Sequence, residues 1–244
     1  NVKIFCTGEN LGYGKGNNFG IKHAKSNYIL ILNPDVICEK DLFEKIPHVV
    51  NKAKDFAVIG FQYSFDKIFM PAGFFNSKKN KKFVHDFKDE KIENLSRVEW
   101  VTGCSMLLNL KEFEKQEIFD EKFFLYFEVT DFCFRMSKFN EKLYISDKIR
   151  FKHYGSQSVD VKFSLISRLT KAWHYNWGKF YFYKKHHGYF YALRKIKSNL
   201  ISAIKKITIN FLGLRIKECY INLIEFYGII SAVIFLKSFY RPKK

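Results

Sequence analysis

Tyr28-Ile-Leu-Ile-Leu32-Asn33-Pro34-Asp35 is the stretch on which the fold turns. An unbroken apolar run, without the alternation of a half-exposed strand, ends at a turn stiffened by Pro34. Such a run suits a strand covered on both faces, as in a parallel sheet. Downstream, Asp41 is placed to cap a helix whose apolar positions Leu42, Ile46, Val49, Val50 and Ala53 recur at helical spacing, and Phe56–Phe61 is the next apolar run. Strand, helix and strand in that order predict an α/β fold. Upstream, Val2–Cys6 alternates like a strand, Gly8–Gly20 is dense in Gly and Asn, and a helix is expected to start within Phe19–Lys25. Further on, residues 76–99 read as a Lys-rich surface excursion and Trp100–Leu110 as a strand with Gly103 near its start. The aromatic run Phe119–Phe127 precedes a helix over about 128–139, and Tyr144–Ile149 reads as a last strand leading to His153.

The chain has 244 residues, of which 47% are hydrophobic and 18% aromatic, which excludes disorder, a collagen-like repeat and a disulfide miniprotein. Its charge is uneven. Residues 1–160 hold 25 basic and 22 acidic residues, whereas 161–244 hold 17 and 2. The sequence therefore divides into a nearly neutral α/β part, 1–160, and a basic, aromatic, helical extension, 161–244. Five scattered cysteines without a CxxC pair point to a reducing compartment and away from a zinc site.

Asp35 follows a strand at the end where open α/β sheets bind ligands, so it is a candidate to hold a divalent cation and, through it, a diphosphate; the plainer reading is an Asx-type turn. Gly12-Tyr-Gly-Lys-Gly16-Asn17-Asn18 is a candidate phosphate cradle, although it fits neither GxGxxG nor GxxxxGK[ST]; the plainer reading is a flexible strand-to-helix turn. Glu128 and Asp131 lie three apart on one helix face, and a carboxylate among apolar neighbours is suited to act as a general base. Against that, acids favour a helix N-terminus, and Asp131 can pair with Arg135 one turn later. His153 is a candidate ligand or phosphate contact, or simply a polar residue at a strand end.

In order, Glu9–Gly20, Ile31-Leu-Asn-Pro-Asp35, Gly103, Phe119–Glu128 and His153 resemble the family 2 glycosyltransferases of the rhamnosyltransferase type, which build bacterial surface polysaccharides. The resemblance covers about residues 1–160. It implies a Rossmann-like nucleotide-sugar domain of the GT-A kind and an inverting displacement at the anomeric carbon. It places Asp35 as the acid that binds metal and diphosphate, with Mg²⁺ or Mn²⁺ as the cation and His153 completing that site. Asn10, Gly12, Asn17, Asn18 and Gly103 then fall near the donor, a dTDP- or UDP-sugar. The family usually reads Glu-Asp-x-Asp after the aromatic run and uses the second acid as base, whereas this chain reads Glu128-Val129-Thr130-Asp131. The role then falls to Glu128 or Asp131, or the chain is a catalytically impaired remnant that binds a membrane or a partner. The chain also opens at what resembles the family's third strand, so an N-terminally incomplete domain is expected, short by about 50 residues.

In the extension, basic residues interleave with Trp173, Tyr175, Trp177, Phe180, Tyr181, Phe182 and Tyr183, and Cys219–Leu236 is largely apolar but carries Asn222 and Glu225. This suits attachment to an anionic membrane surface, and the apolar stretch favours membrane over nucleic acid, which is not expected as a partner. The expected location is cytoplasmic, peripheral on the inner face of the membrane, where the resemblance implies a polyprenyl-linked glycan as acceptor.

Overall fold

In a computed structural model of the chain, the structure describes residues 2–53, 55–64, 68–69, 72–75, 91–92, 94–113, 118–153 and 164–238. The chain forms two compact units. One, the sheet unit, comprises Phe19–Phe119 and Val129–Ser158; the other, the helical unit, comprises Asn1–Asn18, Asp120–Glu128 and Val159–Lys244.

In the sheet unit the apolar runs become β1 (Tyr28–Leu32), β2 (Val36–Cys38), β3 (Phe56–Ser64), β4 (Ile68–Phe69), β5 (Ala72–Gly73), β6 (Lys91–Ile92), β7 (Leu95–Val98), β8 (Trp100–Val101), β9 (Ser105–Asn109) and β10 (Lys142–His153). Among the described residues the main sheet runs β1-β9-β3-β10-β7-β6, with β2 paired to β10 and β4 to β3. β3 and β10 are parallel, while β9 lies antiparallel to both β1 and β3. β1, β3 and β10 therefore point the same way, and their carboxyl ends share one edge. Helix α2 (Leu42–Lys52) buries Leu42 and Val49 into a core with Ala53, Phe56, Ile59, Phe61 and Phe151. The helical spacing read from the sequence is the spacing that does this.

Several expectations are corrected. β1 is not a doubly covered strand of a parallel sheet: it pairs antiparallel with β9, and Leu32 is 37% exposed. An apolar run reports burial propensity but not the direction of its neighbour. Val2–Cys6 does not form a strand: Val2 and Ile4 are exposed, and alternation alone, without a ladder to an adjacent strand, does not make one. The first helix, α1 (Tyr13–Lys22), begins six residues before the expected window and takes Gly14, Gly16 and Gly20 inside it. The run Trp100–Leu110 breaks into β8 and β9, so Gly103 sits in a turn rather than a strand. Asp41 makes no side-chain cap; its carboxylate pairs with Lys45 at 3.0 Å instead. Of the Lys-rich excursion, 76–90 lie outside the described residues, but Leu95–Val98 is not surface: it is β7, paired with β10, with Leu95 and Val98 buried.

The helical unit carries α4 (Ser164–His187), α5 (Tyr189–Leu212) and α6 (Ile216–Val233), while α3 (Glu128–Lys138) starts at its last residue before Val129. Trp173 and Trp177 stack at 6.2 Å, and Phe123 meets Trp177 and Tyr181 edge-on. Asp120 anchors the 120–128 segment to α4. One oxygen accepts from the Lys122 N–H (3.0 Å), and the other accepts from the Tyr181 hydroxyl (2.9 Å) and the Lys185 ammonium (2.8 Å). The aromatics expected to face headgroups are thus largely internal: Trp173, Trp177, Phe180 and Phe182 are buried. No helix among the described residues is long and apolar enough to cross a membrane.

Candidate functional site

In the sheet unit, three segments converge on the carboxyl edge of the sheet. Asn33-Pro34-Asp35 forms a turn closed by the Val36 N–H on the Asn33 carbonyl (3.2 Å), and the Asn33 N–H donates to the Cys104 carbonyl (2.9 Å). The Gly103 turn is fixed in its own right, because the Ser105 N–H donates to the Tyr63 hydroxyl (3.0 Å) and the Cys104 N–H to the Thr102 hydroxyl (3.3 Å). β2 then pairs antiparallel with β10, with Val36 opposite His153. Asp35 precedes Val36, so strand register alone brings the backbone of Asp35 and His153 to neighbouring positions at this edge. The sequence pairing of Asp35 with His153 had no periodicity behind it. β2, three residues long, is the element that supplies the link.

In the helical unit, the Gly- and Asn-rich segment is built into the fold. Asn10 accepts from the Gly12 N–H (3.0 Å) in an Asx-type turn. Gly12 has φ 77°, and a Cβ there would lie 2.1 Å from the Phe124 carbonyl oxygen, which also accepts from the Tyr13 N–H (3.0 Å). The Asn17 amide donates to the Tyr13 carbonyl (2.9 Å), and that of Asn18 to Glu121 (3.2 Å). These partners explain why Gly and Asn crowd here without any ligand.

The segment from Asp120 ends at Glu128, the first residue of α3. Tyr126 and Phe127 both take φ 68°, the left-handed region that bulky side chains rarely enter. Each such residue costs about 1–3 kcal/mol and persists only where its surroundings fix it. Gly178 of α4 does part of that fixing, since a Cβ there would come within 3.1 Å of the Phe127 ring and 3.2 Å of the Tyr126 carbonyl.

Glu128 is 5% exposed, and its Oε2 has no hydrogen-bond partner among the described residues. Burial raises its carboxyl from an ordinary 4.5 to about 7. Asp131 is also buried, but its carboxylate accepts from the Arg135 guanidinium at 3.0 Å, and Arg135 donates onward to the Ile118 carbonyl. The pairing of Asp131 with Arg135 is therefore the one formed, and an anion so held makes a poor proton acceptor. Two acids one turn apart thus differ in kind: Asp131 is neutralised, whereas Glu128 is desolvated and can take a proton near neutral pH. Asp120 and Gly178 were not singled out from sequence, because a turn Asp and a helical Gly carry no pattern that marks what they will touch.

A model of "Glycosyl transferase family 2" matches residues 1–144. The chain is 27% identical over 187 residues to the rhamnosyltransferase WbbL of Escherichia coli strain K12, covering 70% of this chain and 69% of that protein. It is 25% identical over 147 residues to the low-salt glycan biosynthesis hexosyltransferase Agl10 of Haloferax volcanii, covering 57% of this chain and about half, 47%, of that protein. A solved structure of GalNAc-T7 with UDP, GalNAc and Mn²⁺ aligns with TM-score 0.45 and 13% identity, over 79% of this chain and 44% of the other. With the family model covering more than half of its residues, on a mixed α/β architecture of the GT-A kind with a helical C-terminal part, the chain belongs to glycosyl transferase family 2.

Proposed function

We propose that the chain transfers a sugar, rhamnose or another hexose, from a dTDP- or UDP-sugar to a polyprenyl-linked glycan in the synthesis of a bacterial surface polysaccharide. The observation that carries this reading is Glu128, a buried carboxylate whose Oε2 has no hydrogen-bond partner among the described residues and whose proton affinity burial raises to near neutrality. In the reaction Glu128 accepts the proton of the acceptor hydroxyl as that oxygen bonds to the anomeric carbon. The bond from that carbon to the diphosphate breaks, and the electron pair leaves with the nucleoside diphosphate. Attack from the face opposite the leaving group inverts the centre.

Asp35 and His153 are the residues that would hold a divalent cation. A carboxylate and an imidazole suit Mn²⁺, and Mg²⁺ through the carboxylate, with the diphosphate supplying further oxygens. The fit rests on the β2–β10 register, which brings the two backbones together. When bound, the cation neutralises charge on the departing diphosphate. In this reading Gly12, Asn17 and Asn18 serve the donor by shaping the start of α1, Asn10 by setting its entry turn, and Gly103 by forming a turn beside Asn33. The chain acts at the cytoplasmic face of the membrane, held peripherally to an anionic surface, with no part for nucleic acid.

The test is a titration with UDP- and dTDP-sugars, with Mn²⁺ present and chelated, followed by tryptophan fluorescence. Saturation that needs the metal and disappears in Asp35→Ala is expected. Equal, metal-independent binding by Asp35→Ala would overturn the metal assignment.

A second reading, a catalytically impaired remnant, is favoured by one feature. Val129, half-buried at the second position of α3, stands where the resemblance places the family's base. Val129→Asp separates the two: a large gain in transfer over the parent supports a lost base, and no gain supports Glu128.

A further inference from the structure

α5 and α6 meet at a turn that the helical unit leaves bare. Across it, Ile209 is 64% exposed, Phe211 65%, Leu212 76%, Leu214 81% and Ile216 66%. Back along α5 exposure falls to 48% at Ile204 and 43% at Ile201, so these groups form a cluster at this end of the helix pair, separate from Phe190 (84%) at the start of α5 and from Ile234 and Phe235 (56% and 62%) after α6. The turn is ordered. The Gly213 N–H donates to the Ile209 carbonyl (3.0 Å), that of Leu214 to Phe211 (3.1 Å) and that of Arg215 to Asn210 (2.8 Å). Leu214 takes φ 54°, where a helix end ordinarily carries Gly or Asn. A leucine held there, outward and in an unfavourable backbone region, has no packing role within the unit. Adjacent exposed aliphatic groups of this size mark an interaction surface.

The surrounding charge identifies the partner. From Val161 to Lys217 the sequence contains no Asp or Glu, and Tyr189–Lys217 holds seven Lys and Arg. Lys205, Lys206, Arg215 and Lys217 are exposed around the turn, and of these Lys206 reaches Glu225 at 3.4 Å. An apolar tip inside a predominantly basic collar, whose flanking acids Glu218 and Glu225 pair with Arg168 and Lys206, is complementary to an anionic bilayer, which offers hydrocarbon beneath a uniform layer of phosphate. A nucleic acid would match the collar but give the aliphatic tip no partner.

We propose that the α5–α6 turn is the membrane contact: Phe211, Leu212, Leu214 and Ile216 enter the headgroup layer, while Lys205, Arg215 and Lys217 meet lipid phosphates. This rests on the membrane-side reading above and moves the contact from the buried aromatics of α4 to the tip.

The test is co-sedimentation of the full chain with phosphatidylcholine vesicles, with and without phosphatidylglycerol, across a salt series, alongside the donor titration. The parent chain is expected to bind the anionic vesicles, less so as salt rises, and the neutral ones weakly. Leu212→Ser with Leu214→Ser is expected to lower the vesicle partition coefficient by about tenfold or more. Lys205→Glu with Arg215→Glu is expected to abolish the preference for anionic lipid. Both variants change only exposed side chains, so their thermal melts and donor titrations should match the parent. A parent that binds and a serine variant that binds equally well would overturn the tip assignment alone. A parent that ignores anionic vesicles yet titrates with donor would overturn the membrane reading as well. Capture of a single-stranded oligonucleotide at matched salt, lost in the glutamate variant, would overturn lipid as the partner.

Discussion

Glu128→Gln is expected to slow sugar transfer by about 10²–10⁴-fold while leaving donor binding intact, because the amide keeps the shape of the side chain but cannot accept the acceptor's proton. The same substitution makes a second prediction that needs no assay of activity. In the folded chain the Glu128 carboxyl titrates at about 7 because burial disfavours its charge, against 4.5 ordinarily. Below 4.5 both folded and unfolded chains hold the proton. Between the two values the folded chain keeps a proton that the unfolded chain has released, so stability falls as pH rises, by about 3 kcal/mol in all, and is level above 7. Glu128→Gln removes this dependence. The stability of the variant relative to the parent should therefore grow from pH 4.5 to 7 and then stay constant, as read from denaturant midpoints over a pH series. A constant difference would mean that the carboxyl is not desolvated.

Gly12→Ala is expected to destabilise the helical unit by about 2–5 kcal/mol. The added Cβ would sit 2.1 Å from the Phe124 carbonyl oxygen and 2.7 Å from the Phe124 ring, at a backbone φ of 77°. Left-handed strain for a residue with a Cβ contributes about 1–2 kcal/mol and forced displacement of neighbours about 1–3 kcal/mol. Gly16→Ala, four residues on inside α1, is the control: nothing lies within 4 Å of its Cβ, and alanine in a helix interior should stabilise by about 0.5–1 kcal/mol. Chemical denaturation followed through Trp173 and Trp177 measures both. If the segment were only a flexible cradle, the two substitutions would behave alike. The contrast separates a glycine that a close approach demands from one that merely stands in a glycine-rich run.

The two glycines also show where sequence reading stops. Density of Gly and Asn over Gly8–Gly20 suggested a loop, but the density has separate causes: Gly12 yields to Phe124, Asn18 holds Glu121, and α1 tolerates Gly14, Gly16 and Gly20. Local composition cannot show a contact made more than a hundred residues away. The apolar runs, by contrast, located β1, β3, β9 and β10 and the buried face of α2, since burial of a continuous run needs little beyond the run itself. What the runs could not carry was strand direction and the short β2, whose three residues are too few to pattern. The aromatics of α4 misled for a similar reason. Aromatics beside Lys suit a membrane interface, yet Phe123 packs on Trp177 and Phe127 on Phe182 from a distant part of the chain and take them inside. The candidate acids were legible as a pair. Which of them is left without a cation depended on Arg135 reaching Asp131, a choice that spacing permits but does not dictate.

The most direct test of the account is the pH dependence of nucleoside diphosphate release by the parent chain at saturating donor and acceptor, from about pH 5 to 9. The rate should be level above about 7 and fall tenfold per pH unit below it, with the break at the value at which burial sets the Glu128 carboxyl. A rate that stays level down to pH 5, or breaks only near 4.5, would contradict the assignment of Glu128 as the base.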